Sequence, residues 1–305
     1  MPTLVDMFPG YDSVVVPTAA GRISARVHGS GEPVLLLHGH PQTGVMWHRV
    51  APLLDSTHTL VIPDLPGYGA SEAPAPAFDH APYDKRSMAL AMIELMRSLG
   101  HEQFAVVGHD RGGRVAYRLA LDSPESVTRL ALLDIVSTLD MWENWAPETS
   151  RSTYHWTMLA APEPIPELLL EHSAADWVDA TMGLNTRGDA RDLSAFDPNA
   201  MEHYRDFLQQ PDRIHAICED YRAGATVDLR HDRADLDAGR TITAPLLVIW
   251  GDRGIPASGH GLTPVDTWRK WAPDVIGQAL PCAHFIAEEA PAATAQLLVD
   301  FFALE

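Results

Sequence analysis

The segment from Phe104 to Arg118 constrains the fold of this chain more than any other. It reads as a short apolar strand, FAVV, followed by the turn GHDRG and then by a helix. Gly-x-nucleophile-x-Gly between a strand and a helix is the frame in which a sharp turn presents one reactive side chain. Gly108 and Gly112 remove the Cβ atoms that would collide there, and Asp110 is of a type that tolerates positive φ. The sequence therefore predicts a strand–turn–helix unit with the Asp110 carboxylate at its tip.

Short apolar strands alternate with longer helical stretches through the first half of the chain. Lys85–Leu99 has helical spacing and ends at Gly100, and Arg114–Leu121 ends before a Ser-Pro pair. Strands that are apolar throughout, rather than alternating, indicate a parallel sheet covered by helices on both faces. The predicted strands of this half are Arg22–Val27, Val34–Leu37, Thr59–Pro63, Phe104–Val107 and Leu130–Asp134.

The middle of the chain differs from both ends. From about Ser137 to Arg240, tryptophans, charges and helical spacing dominate and no convincing strand is evident. Pro245–Trp250 is again an apolar strand, and Ala292–Phe301 closes the chain as a helix. We therefore predict an α/β fold with a mostly parallel central sheet, formed by residues 1–136 and 241–305. A helical cap domain, residues 137–240, is inserted before the last core strands, where such inserts usually cover the ligand site.

Charge and composition limit the partners that this chain can have. Its 22 basic and 41 acidic residues give a net charge of -19 with His neutral. Such a surface repels phosphate backbones and anionic bilayers, which argues against nucleic acid and membranes as partners. The longest apolar runs are far shorter than a membrane span, and no signal peptide is evident. With only two cysteines, Cys218 and Cys282, the sequence predicts a soluble cytoplasmic protein.

The identity of Asp110 indicates the class of reaction. A serine in this position must lose a proton before it attacks, and its usual target is an acyl carbon. A carboxylate is already ionised at pH 7, since its ordinary pKa is about 3.9, and it attacks a saturated carbon directly. The product is an ester on the protein that water must hydrolyse. The alternative is that Asp110 only caps the following helix, and the glycine frame favours the nucleophile.

Hydrolysis of that ester requires a base and an acid that orients it. His284 lies just before the final helix, where the chain order nucleophile–acid–histidine places the base. Two acids follow strands, Asp134 after LALL and Asp252 after LLVIWG. The order and spacing of residues do not choose between them.

The ester also needs donors that stabilise its oxyanion. His38-Gly39-His40 follows the strand VLLL, so the backbone N–H of His40 can join that of Arg111 in an oxyanion hole. The same H-x-H pair is also compatible with a metal site. Because no third ligand stands at metal spacing, we predict no metal and no organic cofactor.

Arg111 and Arg114 occupy the first turn after the predicted nucleophile. Side chains three residues apart share a helix face, so both guanidinium groups can reach one small anion. Arginine matches a carboxylate with two N–H donors, and a cationic pair is unusual in a chain this acidic. The alternative is two solvated surface arginines. The pair predicts a substrate that carries a carboxylate beside a saturated carbon with a displaceable group.

These residues together resemble the haloacetate dehalogenases, often called fluoroacetate dehalogenases, of the α/β-hydrolase superfamily. The resemblance runs nearly from end to end, and the Asp110-Arg111-x-x-Arg114 set is its most specific element. The matching segments are the opening at residues 1–10, HGHPQTGVMWHRVAP from His38, DLPGYG from Asp64, GHDRGGRVAYRLALDSP from Gly108, LLDIV, YHW at Tyr154–Trp156, DLSAFDP from Asp192, CEDYRAGA from Cys218 and DTWRKWA near Trp268.

The resemblance implies a role for each matching position. Asp110 is the nucleophile, Arg111 and Arg114 bind the substrate carboxylate, His284 is the base and Asp134 is its acid, with Asp252 as a possible substitute. It further implies that His155, Trp156 and Tyr221 bind the departing halide through N–H and O–H donors; without it, cap packing is the simpler interpretation. Family members also suggest a homodimer.

Two positions depart from the family pattern. Residue 40 is His where Phe is expected, and residue 185 is Asn where a pocket Trp is expected. Both changes make the rim of the pocket more polar and leave the predicted chemistry intact. They weaken the expectation of a preference for fluoride, so chloroacetate or a larger 2-haloacid is an alternative substrate.

The sequence therefore predicts a hydrolytic dehalogenase that converts a haloacetate or similar 2-haloacid to the 2-hydroxy acid and halide. An epoxide hydrolase is the nearest alternative, because it uses the same Asp–His–Asp catalytic residues. It polarises the epoxide oxygen with two tyrosines of the cap, for which Tyr154 and Tyr221 are available. Against it, an uncharged epoxide gives no use for Arg111 and Arg114. A non-catalytic protein that binds a small acid is an alternative of another class.

Overall fold

The fold is seen in a computed structural model that describes residues 4–186, 192–254 and 262–304. Within these residues, eight strands form a single sheet in the order β1-β2-β4-β3-β5-β6-β7-β8. The strands are β1 (Asp12–Thr18), β2 (Gly21–Gly29), β3 (Glu32–Leu37), β4 (His58–Pro63), β5 (Phe104–His109), β6 (Val127–Leu133), β7 (Leu246–Gly251) and β8 (Val275–Leu280). β2 pairs antiparallel with both β1 and β4, and every other pair is parallel. The predicted α/β fold is confirmed.

The described helices cover the sheet or lie between its sixth and seventh strands. Those that flank the sheet are α1 (Lys85–Ser98), α2 (Asp110–Asp122), α11 (Pro264–Trp268), α12 (Ile286–Glu289) and α13 (Pro291–Phe302). Those between β6 and β7 are α3 (Thr138–Glu143), α4 (Pro147–Ser152), α5 (His155–Leu159), α6 (Ile165–Leu170), α7 (Ala174–Leu184), α8 (Pro198–Leu208), α9 (Pro211–Ala225) and α10 (Val227–Asp237).

The apolar strands of the sequence become the centre of the sheet. Val34–Leu37 of β3 and Leu130–Leu133 of β6 are fully buried, as strands covered on both faces must be. The two strands that the sequence did not reveal, β1 and β8, are the outermost ones. Most of their residues are exposed or half-buried, so they lack the apolar signal on which the prediction depended.

The helix that follows the turn begins earlier than its pattern suggested. We predicted it from Arg114, whereas α2 begins at Asp110. Its first turn contains Gly112 and Gly113, which are poor helix formers and which packing requires here. A Cβ on Gly113 would lie 2.7 Å from the Ile135 side chain, so tertiary contact overrides propensity.

Buried ion pairs attach one helix of the predicted cap, α10, to α2, a helix that flanks the sheet. Arg118 of α2 contacts Asp232 at 2.7 Å and also pairs with Asp235, both on α10, and all three side chains are buried. No strand occurs among the described residues between β6 and β7. The division into a core and a cap at residues 136/137 and 240/241 stays a prediction. No helix in the described part of the chain is long and apolar enough to cross a membrane.

Candidate active site

The carboxyl ends of the central parallel strands bring the predicted site residues to one edge of the sheet. β5 ends at His109 and is in register with Leu133 at the end of β6, while Leu37 of β3 lies beside Gly108. The residues that follow these strands, His38–His40, Asp110 and Asp134, are therefore neighbours. Ligands of open α/β sheets bind at this edge.

Asp110 lies at the tip of the turn with φ +46° and is buried. The turn is tight because three glycines allow close approach. A Cβ on Gly108 would lie 2.5 Å from the Gly112 carbonyl oxygen, and one on Gly112 would lie 2.3 Å from that of His38. A Cβ on Gly39 would lie 2.4 Å from the Asp110 Cβ, so the loop after β3 packs directly against the carboxylate-bearing residue.

Electrostatics keep the Asp110 carboxylate ionised. Burial by itself would raise the pKa of Asp110, since it disfavours the charged form. The nearby His284, Arg111 and Arg114 more than offset this effect, and the pKa lies below its ordinary value. The carboxylate is therefore ionised at neutral pH, as the predicted nucleophile must be.

His284 and Asp134 form a buried hydrogen-bonded pair. Nδ1 of His284 donates to Oδ2 of Asp134 across 2.7 Å, and Oδ1 of Asp134 accepts from the backbone N–H of Gly251 at 2.9 Å. Asp134, like Asp110, has positive φ, at +51°. Asp252 is exposed at the end of β7, and its backbone N–H donates to the carbonyl of Leu280 at 2.9 Å. The structure therefore places Asp134 against Nδ1 of the predicted base.

The backbone around His284 is fixed on both sides. Glu289 accepts from the N–H groups of Ala283 at 3.1 Å and of Phe285 at 3.0 Å. The N–H of His284 donates to the carbonyl of Asn185 at 3.1 Å. Burial by itself would lower the pKa of His284, but the hydrogen bond and charge of Asp134 outweigh it and raise the pKa above the ordinary value of 6.5.

Arg111 is completely buried, and its main partner is a carboxylate of the chain itself. Nε lies 3.1 Å from Oδ2 of Asp220, while Nη2 lies 2.5 Å from Oδ1 and 2.8 Å from the Asp220 carbonyl oxygen. The guanidinium also lies over the ring of Tyr221, with 4.2 Å from Cζ to the centroid. Nη1 has no hydrogen-bond partner among the residues described. One nitrogen of Arg111 is thus available to a ligand.

Within the part of the chain that the structure describes, Arg114 has no acidic partner of this kind. Its Nη1 donates to the Val136 carbonyl and to the Thr138 hydroxyl, both at 3.1 Å. The guanidinium lies 4.5 Å from the ring of Trp156, and within the described ranges Nε has no hydrogen-bond partner. Unpaired buried donors are costly, so the free nitrogens of Arg111 and Arg114 indicate a site for an anion.

The three residues that the resemblance assigned to halide binding cluster beside these arginines. The ring of Tyr221 lies 5.9 Å from that of His155 and 6.1 Å from that of Trp156, both edge to face. Tyr221 Oη and His155 Nδ1 are buried without partners in the described chain. Burial lowers the pKa of His155 to about 4, so this imidazole is neutral and carries one N–H.

The two histidines of the H-x-H pair have different surroundings. His38 Nε2 accepts from the Leu65 N–H at 2.9 Å, and Nδ1 lies 3.0 Å from the Gly39 carbonyl, so backbone groups occupy both nitrogens. His40 packs against Trp177 and Tyr221 at 5.3 and 5.4 Å between centroids, and neither ring nitrogen has a partner in the described chain. Burial lowers its pKa to about 3.

Asn185, which stands where a pocket Trp is expected, is half-buried. Its amide Nδ2 donates to the Thr181 carbonyl at 2.8 Å, and its contribution is the backbone carbonyl that accepts from His284. Sequence reasoning also missed Asp220, Lys85 and Tyr68, which surround Arg111. The one signal that pointed to this group was the position of Asp220 next to Tyr221 in the CEDYRAGA segment.

The amino-acid sequence is similar to those of known proteins over almost its whole length. Residues 32–291 match the family model of the alpha/beta hydrolase fold. A fluoroacetate dehalogenase from Burkholderia sp is 42% identical over 299 residues, which are 97% of this chain and 95% of that protein. A soluble epoxide hydrolase from Corynebacterium sp is 31% identical over 288 residues, 90% of this chain and 91% of that protein.

Solved structures agree in fold over almost the whole length. A Nostoc sp protein assigned to the alpha/beta hydrolases has a TM-score of 0.92 at 45% identity, covering 96% of this chain and 98% of its own. A mutant of a Pseudomonas aeruginosa protein assigned as an epoxide hydrolase, with bound MFA, has a TM-score of 0.90 at 41% identity, covering 99% and 97%.

Proposed function

This chain belongs to the α/β-hydrolase family, and from that membership we propose that it hydrolyses the carbon–halogen bond of a haloacetate or similar 2-haloacid. The products are the 2-hydroxy acid, glycolate in the case of a haloacetate, and a halide ion. The observation that carries the proposal is the ionised Asp110 at the tip of the turn beside two buried arginines, each with one nitrogen that finds no partner among the described residues. An anionic substrate with a leaving group next to its carboxylate satisfies all three groups at once. The 42% identity to a fluoroacetate dehalogenase supports the same choice.

In the first proposed step, the substrate carboxylate binds between Arg111 and Arg114. An oxygen of Asp110 attacks the α-carbon from the side opposite the halogen, forming a C–O bond as the carbon–halogen bond breaks. The halide takes the bonding electron pair and is received by N–H and O–H donors of His155, Trp156 and Tyr221. By analogy with oxyanion holes, the loss of one of these donors is expected to cost about 3 kcal/mol of transition-state stabilisation.

In the second proposed step, water hydrolyses the ester on Asp110. His284 takes a proton from the water, and Asp134 stabilises the resulting imidazolium through the 2.7 Å hydrogen bond. The hydroxide attacks the ester carbonyl, whose oxyanion is bound by the backbone N–H groups of His40 and Arg111. Collapse releases the 2-hydroxy acid and restores the carboxylate. No metal or organic cofactor takes part in these steps.

A single turnover in heavy-oxygen water tests the covalent route. The label is expected in the Asp110 carboxylate first, where peptide mass spectrometry detects it, and in glycolate only in later turnovers. Label that enters glycolate in the first turnover would contradict the ester intermediate. Asp110→Asn, which cannot attack, is expected to release no halide.

Epoxide hydrolysis is the second candidate, favoured by the 31% identity to a soluble epoxide hydrolase. The Tyr221 hydroxyl has no hydrogen-bond partner in the described ranges, while the Tyr154 hydroxyl lies 3.5 Å from that of Thr181. Turnover of styrene oxide without turnover of chloroacetate would favour this candidate over dehalogenation. Binding of a small acid without turnover of either substrate would favour the non-catalytic alternative.

The preferred halogen, the cytoplasmic location and a homodimeric state belong to the same proposal. A substrate panel of fluoro-, chloro- and bromoacetate with 2-halopropionates tests the first, and gel filtration tests the last.

A further inference from the structure

A buried group of charged side chains surrounds Arg111. The carboxylate of Asp220 on α9 accepts hydrogen bonds from Nε and Nη2 of Arg111 and from the hydroxyl of Tyr68, the last at 2.9 Å. The ammonium of Lys85 also pairs with Asp220 and lies 3.6 Å from Oδ2 of Asp228. Asp220, Arg111 and Lys85 are essentially inaccessible to solvent. We call these four residues, Tyr68, Lys85, Arg111 and Asp220, the Asp220 cluster.

The Asp220 cluster determines which donor of Arg111 a ligand meets. A guanidinium normally presents a pair of parallel N–H groups to a carboxylate, and here Asp220 occupies the edge formed by Nε and Nη2. Only Nη1 is left without a partner among the residues described. The face of the guanidinium is held against Tyr221 and, at 5.6 Å, Trp156. Arg111 is thus fixed in both plane and direction.

The two arginines differ in how far neighbouring carboxylates neutralise their charge. Arg111 and Lys85 carry two positive charges, and Asp220 and Asp228 carry two negative ones, so this buried set is close to neutral. Burial by itself would raise the pKa of Asp220, but the charges and hydrogen bonds of Arg111 and Lys85 outweigh burial and hold that pKa well below its ordinary value, so the carboxylate stays charged. Arg114, whose hydrogen bonds among the described residues go to neutral oxygens, then supplies the net attraction for an anion.

We propose that Asp220 is a positioning residue for substrate recognition: it orients Arg111 so that Nη1, together with Arg114, binds the carboxylate of the substrate. This inference rests on the proposed function, because it takes that carboxylate as the ligand of the two arginines. Asp220 also immediately precedes Tyr221 on α9. The same helix therefore orients Arg111, which is proposed to bind the substrate carboxylate, and carries Tyr221, which is proposed to donate a hydrogen bond to the halide.

Asp220→Asn tests this role because it keeps the size of the side chain and removes its charge. The asparagine no longer accepts from both Nε and Nη2 of Arg111 at full strength, so the guanidinium loses its fixed direction. We expect the KM for chloroacetate and the dissociation constant for acetate, an unreactive analogue measured by calorimetry, to rise about tenfold. The kcat is expected to fall less than the KM rises.

Asp235→Asn is the matched control. Asp235 is likewise a buried carboxylate paired with an arginine, Arg118, but it belongs to the attachment of α10 and not to Arg111. It is expected to lower the melting temperature while leaving acetate binding within twofold of wild type. Tyr68→Phe removes one hydrogen bond to Asp220 and is expected to weaken acetate binding by a smaller factor, which provides a test if Asp220→Asn does not fold.

The outcomes separate this inference from the proposed function. Acetate binding within twofold of wild type in both Asp220→Asn and Tyr68→Phe would overturn the positioning role, whether or not haloacetates are turned over. Absence of acetate binding to the wild type would overturn it as well. If the wild type releases no halide from any haloacid, the proposed function fails, while weaker acetate binding in Asp220→Asn would still support the positioning role.

Discussion

Nδ1 of His284 lies 2.7 Å from Oδ2 of Asp134, although 150 residues separate the two in the chain. Asp134 reaches this position because it follows β6 with φ +51°, and its other oxygen accepts from Gly251 at the end of β7. The pair therefore depends on two adjacent parallel strands. A carboxylate in this contact selects the imidazole tautomer whose Nε2 is free to accept a proton.

Asp134→Asn is expected to reduce kcat by roughly 10³- to 10⁴-fold, by analogy with the loss of the orienting acid in other nucleophile–His–acid enzymes. The amide cannot stabilise the imidazolium that forms as His284 takes its proton. Halide release under saturating chloroacetate measures the effect. Asp252→Asn, which changes the exposed acid after β7, is the control and is expected to stay near wild-type activity. A large loss with Asp252→Asn instead would assign the orienting acid to Asp252.

His284→Gln is expected to stop the reaction at the ester. Attack by Asp110 does not need the base, whereas hydrolysis does. The variant should release one halide per active site in a burst, and its mass should increase by one carboxymethyl group located on the peptide that contains Asp110. Steady turnover by this variant, or a modified residue elsewhere, would contradict the assigned order of steps.

The pH dependence of kcat follows from the raised pKa of His284. The imidazole must be neutral to accept a proton, and it is protonated below its pKa. Because Asp134 raises that pKa above 6.5, kcat is expected to fall on the acidic side with a midpoint above 6.5. In Asp134→Asn the residual activity should show a lower midpoint, as the main raising influence is gone. A pH profile of halide release measures both, and equal midpoints would oppose this explanation.

Gly39→Ala is expected to reduce kcat about 10²-fold while the chain still folds. The new Cβ would lie 2.4 Å from the Asp110 Cβ, far inside contact distance, so the loop or the nucleophile must move. Displacements of this size at a reacting centre commonly cost about 10²-fold in rate. Gly100→Ala is the control, because a Cβ there meets nothing within 4 Å although φ is +89°. It should lower stability by about 1 kcal/mol and leave kcat unchanged.

His40→Phe is expected to stabilise the protein and to change its halogen preference. The two buried ring nitrogens of His40 have no partner in the described chain, and their removal is worth about 1 kcal/mol, observed as a higher melting temperature. The larger apolar ring beside Tyr221 narrows the pocket, which should raise kcat/KM for fluoroacetate relative to bromoacetate. An unchanged ratio would show that residue 40 does not contribute to halogen selection.

The amino-acid sequence by itself determined the central sheet and the reactive turn. Apolar runs such as Val34–Leu37 and the Gly108–Gly112 frame carry their signal locally, because buried strands and tight turns each demand particular residues in consecutive positions. The sequence did not predict β1 and β8, because these edge strands are half exposed and need no apolar run. α2 was predicted to begin four residues late because its first turn contains Gly112 and Gly113, which are poor helix formers and are required there by packing.

Only the tertiary structure decided the partners of the charged side chains. Whether Asp134 or Asp252 contacts His284 depends on the direction in which the chain leaves two parallel strands, and spacing does not encode that direction. The Asp220–Arg111 pair likewise joins residues 109 positions apart, on a helix between β6 and β7 and on the helix after the turn. Sequence patterns report which face of an element is buried, whereas the pairing of buried charges is settled by how those elements pack.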